Sequence, residues 1–336
     1  MPATPRPING RPTQPIGLGC MSLSWAYGPR PADVDGIALL HRAIELGYDH
    51  FDTARLYGQG HNETLLGEAL QGRRDKVFLA SKMGIFASGD KRGIDCSPKT
   101  IREQLEISLR LLRTDHIDLY YMHRRDFTVP IEDSVGAMAD LIKEGKMGAI
   151  GLSEMSADTL RRAAAVHPIA AMQTEYSPWT RQAEIAVIDA CRELGTTFVA
   201  FSPVGRGALA NGVDDPAMLE QGDLRPGMPR FQGANWAHNR KLVAAFNALA
   251  AQAGVTPAQL SLAWVLSRGD HIVAIPGTKS IAHLEENIAR SDWTIPAELA
   301  AQIDALINHQ TVSGHRYSAM MQATIDTEDF DSFFEA

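Results

Sequence analysis

Four residues within the first 123 positions have the types and spacing for proton transfer. Asp52 and Tyr57 lie in Phe51-Asp52-Thr53-Ala54-Arg55-Leu56-Tyr57-Gly58, Lys82 ends Leu79-Ala80-Ser81-Lys82, and His123 ends Asp118-Leu119-Tyr120-Tyr121-Met122-His123. A phenol ionises near pH 10 and is a weak acid at neutrality. An ammonium about 4 Å away favours the phenolate by about 4 kcal/mol at an effective dielectric of 20, roughly three pH units before desolvation is counted. Lys82 is therefore expected to lower the Tyr57 phenol, with Asp52 keeping Lys82 charged and oriented. His123 could hydrogen-bond a substrate oxygen. Such a set suits protonation of a carbonyl oxygen as a hydride reaches its carbon. Singly, each residue has an ordinary reading as packing, solvated charge, turn partner or satisfied histidine. Their joint placement favours the functional one.

That placement depends on the elements. Short apolar runs alternate with stretches of helical period along almost the whole chain. The predicted strands are Ile16 to Met21, His50 to Thr53, Val77 to Lys82, Ile117 to His123, Ala149 to Ser153, Ala171 to Glu175, Thr197 to Ser202 and Ile272 to Pro276. Helical patterns include Pro31 to Leu46, Glu63 to Leu70, Pro98 to Leu112, Glu184 to Glu193 and Pro257 to Leu266. Runs such as Phe198-Val199-Ala200-Phe201 read as strands buried on both faces, as in a parallel sheet under helices. Eight strand-helix units predict an α/β chain forming one (β/α)8 barrel, with a doubly wound sheet plus second domain as the rival. The whole of 1–336 reads as one domain, with a barrel core at about 16–293 and a C-terminal helix and tail at 294–336. A long irregular segment, Gly205 to Trp236, follows the seventh strand, a helix is predicted over Ala297 to Ile307, and the tail is acidic and aromatic from Asp329 to Phe334. In such a barrel reactive groups gather at the carboxyl ends of the strands. Neighbouring strands lie about 4.8 Å apart, so three successive ends span only about 10 Å and Asp52, Tyr57, Lys82 and His123 can meet.

Composition limits the alternatives. The 336 residues are 45% apolar and 21% charged, with a net charge of -8 and no basic stripe, which argues against a nucleic-acid partner. Cys20, Cys96 and Cys191 are too few and too far apart for a disulfide framework, and no histidine or cysteine spacing predicts a metal. Met1 to Arg11 does not read as a secretion signal, and no apolar run approaches a membrane span, so a soluble, cytoplasmic protein is expected.

Several segments occur in the order and spacing of the aldo-keto reductases: Leu18-Gly19-Cys20-Met21, Asp49 to Gly58, Leu79 to Lys82, Asp118 to His123, Ile150-Gly151-Leu152-Ser153-Glu154, Gln173-Thr174-Glu175-Tyr176-Ser177, Phe201-Ser202-Pro203 and Ile275-Pro276-Gly277-Thr278. The chain resembles that family from about Ile16 to Trp293, most closely the auxin-induced-protein-like and perakine-reductase-like branch. The resemblance implies reduction of aldehydes or ketones by NADPH, with Asp52, Tyr57, Lys82 and His123 as the catalytic tetrad and Tyr57 as proton donor. It places Met21, Asp52, Ser153, Gln173 and Phe201 around the nicotinamide, with Ser153 and Gln173 on its carboxamide and Phe201 stacked where Tyr is common. Ser202, Pro203, Val204, Gly205 and Arg206 would wrap the pyrophosphate. Gly277, Thr278, Lys279 and Ser280 would hold the 2′-phosphate at a helix start, and Glu286 and Asn287 the adenosine. His283 stands where many members carry Arg, which weakens the preference for NADPH over NADH. Glu154 stands where the wider family often has Asn.

Trp25, Tyr27 and Arg124 are the substrate-pocket candidates, and the partner is a small carbonyl compound. Gly17-Leu18-Gly19 lacks the third glycine and following helix of a dinucleotide fingerprint. A cofactor-binding regulatory subunit resembling channel β-subunits and a Schiff-base lyase using Lys82 are the alternatives. The substrate itself is not legible, nor is the assembly beyond a monomer or small homo-oligomer.

Overall fold

The computed structural model describes residues 3–88 and 91–330, so Asp331 to Phe334 of the acidic-aromatic tail lie outside the described residues. The first elements are a short antiparallel hairpin, β1 (Arg6–Ile8) and β2 (Arg11–Thr13). Eight parallel strands follow: β3 (Leu18–Gly19), β4 (His50–Asp52), β5 (Phe78–Met83), β8 (Leu119–Met122), β9 (Ile150–Ser153), β10 (Ile169–Glu175), β11 (Thr197–Phe201) and β12 (Ile272–Ile275). The bridges Ile16–Ala274 and Gly19–Gly277 join the first of these to the last, so the sheet closes into a (β/α)8 barrel. Every predicted strand overlaps an observed one.

Helices α1 (Asp33–Glu45), α2 (His61–Ala69), α3 (Pro98–Leu111), α4 (Ile131–Lys143), α5 (Ala157–Val166), α6 (Val187–Leu194), α7 (Gly233–Gln252), α8 (Pro257–Leu266) and α9 (Ile281–Ile288) cover the strands; α10 (Ala297–Leu306) and α11 (Ala319–Gln322) follow. Their starts are chemically marked: Ser97 caps α3, and Thr256 with Gln259 forms a reciprocal capping box on α8. The segment predicted as irregular is a run of short 3-10 turns until α7 begins at Gly233. A second hairpin, β6 (Ile85–Ser88) and β7 (Lys91–Ile94), leaves the barrel directly after β5.

Two apolar layers result from strand alternation. Side chains facing outward, such as Phe51, Leu79, Tyr120, Leu152, Met172 and Phe198, join the helices in a large buried cluster. The inward set, including Phe78, Ala80, Leu119, Tyr121, Ala149, Ala171, Val199 and Val273, fills the barrel, and Ile8 of the hairpin plugs its floor. Gly151 is required here: a Cβ on it would stand 2.3 Å from the Tyr121 ring.

Candidate active site

The inward register that fills the barrel with apolar residues delivers polar ones at its carboxyl end. On β4 the inward side chains are His50 and then Asp52; on β5, Ala80 and then Lys82; on β10, Ala171 and then Gln173. Asp52 stands level with Ala80 in the register of the two adjacent strands, and Lys82, two residues further along β5, reaches across to it.

Lys82 is wholly buried, and its ammonium donates to Asp52 Oδ1, to the Thr53 carbonyl at 2.9 Å and to the Tyr57 hydroxyl at 3.3 Å. The other Asp52 oxygen accepts from Gln173 Nε2 at 2.8 Å. Tyr57 leaves β4 on a 3-10 turn made possible by left-handed backbone at Gly58 and Gln59. His123 lies immediately beyond β8, its ring edge-on to Tyr57 with centroids 5.8 Å apart, and Trp25 flanks Tyr57 at 6.5 Å. All four residues predicted to meet do so.

The electrostatics differ from expectation in one respect. Burial pushes the Tyr57 phenol up, Lys82 pulls it down by charge and hydrogen bonding, and Asp52 adds to the rise. The net direction is upward, so Lys82 limits the rise without reversing it; the desolvation left uncounted in the sequence argument is the larger effect. For Lys82, burial disfavours the ammonium, but Asp52 and Tyr57 carry it above its ordinary value.

These groups border a cavity of about 510 Å³. Met21, Trp25, Tyr27, Asp52, Tyr57, His123, Arg124, Ser153 and Gln173 form one part of its wall; Phe201, Ser202, Pro203, Val204 and Arg206 continue it, and Gly277, Thr278, Lys279, His283, Glu286 and Asn287 complete it. Lys82 stands behind Asp52 and Tyr57, Gly205 is buried in its turn, and Ser280 caps α9.

Two cations expected to face phosphate line the cavity with their charged heads engaged by protein groups. The Arg206 guanidinium pairs with Glu175 at 2.5 Å and donates to the Tyr317 hydroxyl at 3.1 Å. A carboxylate at hand outcompetes an open cleft for a buried guanidinium, because leaving that charge unpaired is costly. Lys279 donates to the carbonyls of Tyr27 and Pro29 at 2.8 and 3.1 Å, tying the loop after β3 to the loop after β12. Leu224 N–H donates to Ala26 O at 2.9 Å, and the Arg225 guanidinium lies 5.1 Å from the Tyr27 ring centre, so the segment after β11 also rests on that loop.

Beside the cavity is a buried ionic cluster that the sequence reading missed. Glu154 is fully buried and receives two bonds from Arg316, at 2.6 and 3.1 Å. Glu175 faces both Arg206 and Arg316, whose charges hold its carboxyl below the usual range although burial acts the other way. Tyr317 and Met321 also line the cavity. Arg316 lies 162 positions from Glu154, and no spacing rule links such a pair. The available signal was the pair of acidic residues, Glu154 and Glu175, at the carboxyl ends of neighbouring strands.

Barrel, strand-end acid–base cluster and elongated wall of amide, hydroxyl and aromatic groups together define an oxidoreductase that works on carbonyl or hydroxyl carbon. The model of the aldo/keto reductase family matches residues 15–308, and the chain belongs to that family. Among solved structures, a glycerol dehydrogenase from Gluconobacter oxydans is 25% identical at a TM-score of 0.82, covering 99% of both chains. The holo form of an aldo-keto reductase from Bacillus halodurans is 26% identical at 0.75, covering 94% of this chain and 99% of that one. An aldo/keto reductase from Klebsiella pneumoniae in complex with NADP and acetate is 27% identical at 0.72, covering 95% and 99%.

Proposed function

We propose that this chain reduces aldehydes or ketones to alcohols with NADPH, Tyr57 supplying the proton. The observation that carries the reading is the Tyr57 hydroxyl at the cavity wall, 3.3 Å from a buried Lys82 that Asp52 holds. The phenol, raised by burial, stays protonated through neutrality and so holds a proton for the carbonyl oxygen. As that proton leaves, the adjacent ammonium stabilises the charge developing on the phenol oxygen. His123, edge-on to Tyr57, would orient the carbonyl oxygen toward the hydroxyl.

The wall fits the cofactor's chemistry. Ser153 and Gln173 offer a hydroxyl and an amide to the carboxamide, and Asp52 fixes which end of the Gln173 amide turns away. Phe201 presents a half-buried ring, while left-handed backbone at Ser202, Gly205, Arg206 and Gly207 curves the chain into a concave turn suited to phosphate. Thr278, His283 and Asn287 line the same cavity and would meet the adenosine end. NADPH, when bound, supplies the hydride. NADP in a relative from Klebsiella pneumoniae supports the assignment.

Quenching of intrinsic Trp fluorescence by NADPH and NADH in parallel, followed by nucleotide oxidation at 340 nm with a panel of aromatic aldehydes and quinones, tests it. Tighter NADPH binding with turnover is expected. Binding without turnover on any carbonyl would favour a regulatory role, and absence of binding would refute the cofactor site.

A further inference from the structure

Among the arginines lining the cavity, Arg124 differs from its neighbours in having no acid to face. Arg206 pairs with Glu175 at 2.5 Å and Arg225 with Asp223 at 2.6 Å. Arg125, next in sequence, pairs with Asp326 at 3.0 Å. Arg124 meets no carboxylate within 4.0 Å among the described residues; its Nη1 donates to the His123 carbonyl at 2.7 Å and approaches Ser153 Oγ at 3.5 Å. The adjacent Asp126 is already engaged by Cys96 N–H and by the backbone and hydroxyl of Thr128. The Arg124 backbone is held in turn, its carbonyl accepting from the Cys96 thiol at 3.4 Å.

Charge balance at this end of the cavity sharpens the point. Asp52 and Lys82 cancel as an ion pair, so the uncompensated charge near Tyr57 and His123 is positive and belongs to Arg124. Other acids of the wall lie elsewhere: Asp223 is held by Arg225, Glu220 lies against Gly28, and Glu286 sits on α9. Apolar side chains, among them Trp25, Leu56 and Ile85, share the same wall. A half-buried guanidinium with spare donors among such groups is poorly solvated, and a planar anion satisfies it through paired hydrogen bonds.

We propose that Arg124 is a specificity-determining anion-binding residue, and that the preferred substrates are carbonyl compounds bearing a carboxylate. The inference rests on the carbonyl-reductase reading and names its substrate class. The reaction balances as aldehyde plus NADPH plus a proton giving alcohol plus NADP+, with the carboxylate unchanged.

The test compares 2-, 3- and 4-carboxybenzaldehyde, each against its own methyl ester, which keeps the ring substitution and removes the charge. At least one acid should exceed its ester in kcat/KM by about tenfold or more, the size of a charge-assisted hydrogen bond. Arg124→Met should bring that ratio to about one, and Arg124→Lys should restore part of it. Fluorescence titration of the NADP+-loaded protein with benzoate and with benzamide supplies a second readout, in which Arg124→Met weakens benzoate alone. Equal handling of acid and ester by the unmodified protein would overturn the proposal. So would an Arg124→Met variant that raises the KM for NADPH and slows acid and ester alike. If no carbonyl is reduced while benzoate binding still depends on Arg124, the anion site stands and the reductase reading falls.

Discussion

Two regions at the mouth of this barrel bury charge in different ways. On one side Asp52, Lys82 and Tyr57 form a chain that ends in a hydroxyl at the cavity wall. On the other, Glu154, Glu175, Arg206 and Arg316 satisfy one another, and Thr327 takes a further Arg316 hydrogen bond at 3.0 Å. Both contain shifted ionisations, Tyr57 and Lys82 upward in the first, Glu175 downward and Arg206 upward in the second. Perturbation alone therefore does not mark chemistry: the first region directs a transferable proton into open space, whereas the second pairs its charges with one another and fastens the C-terminal segment to the strand ends.

Substitutions should separate the two. Tyr57→Phe should lower turnover by roughly 10³- to 10⁴-fold while NADPH quenching and the urea midpoint stay near those of the unmodified protein. Retained turnover would remove Tyr57 from the chemistry. Arg316→Met should do the reverse, costing about 3–5 kcal/mol of unfolding free energy because Glu154 is left buried without its partner, with turnover per folded molecule much less affected. A variant as stable as its parent would show that the cluster is not what fastens the segment.

A third buried group lies under the first region. His50 is enclosed in the barrel, and burial lowers its imidazole to about 4, with Asp52 and Lys82 acting in opposite directions on it. An unfolded chain takes up this proton below about pH 6.5, and the folded one only near 4. Stability from this group is thus complete above pH 6.5 and declines as the pH falls toward 4, by on the order of 3 kcal/mol. Urea unfolding at pH 7 and 4.5 should show the loss, and His50→Leu should remove that part of the slope. The smallest effect belongs to the surface: Arg42 and Glu285 approach to 2.7 Å with both side chains partly in water, and Glu285→Gln should leave the urea midpoint unchanged.

Sequence period located the barrel because each strand is an apolar run bounded by turns, and strand alternation then turns Asp52, Lys82 and Gln173 to the inner face near the strands' carboxyl ends. The β1–β2 hairpin escaped notice because Arg6-Pro7-Ile8 and Arg11-Pro12-Thr13 carry prolines, which disfavour ladders; here they sit in a two-stranded edge pair. The direction of Arg206 and Lys279 was equally hidden. Whether a cation faces a cleft or a carboxylate depends on segments distant in sequence, and for Arg206 the competing partner, Glu175, ends a strand 31 positions earlier. Glu154 looked like a departure from a family pattern; its partner Arg316 gives that acid a structural reason.

The hairpin under the barrel also bears on how the chain is made. Arg6 donates to the Gly269 carbonyl, 263 positions later, and Ile16 bridges to Ala274. At synthesis rates of about 5–20 residues per second, the first barrel strand waits tens of seconds before its second neighbour exists. Through that interval its edge is an open template for other strands. Stalled or truncated translation before β12 would therefore expose an unclosed sheet, and the nascent chain should depend on holding chaperones most strongly in that final stretch.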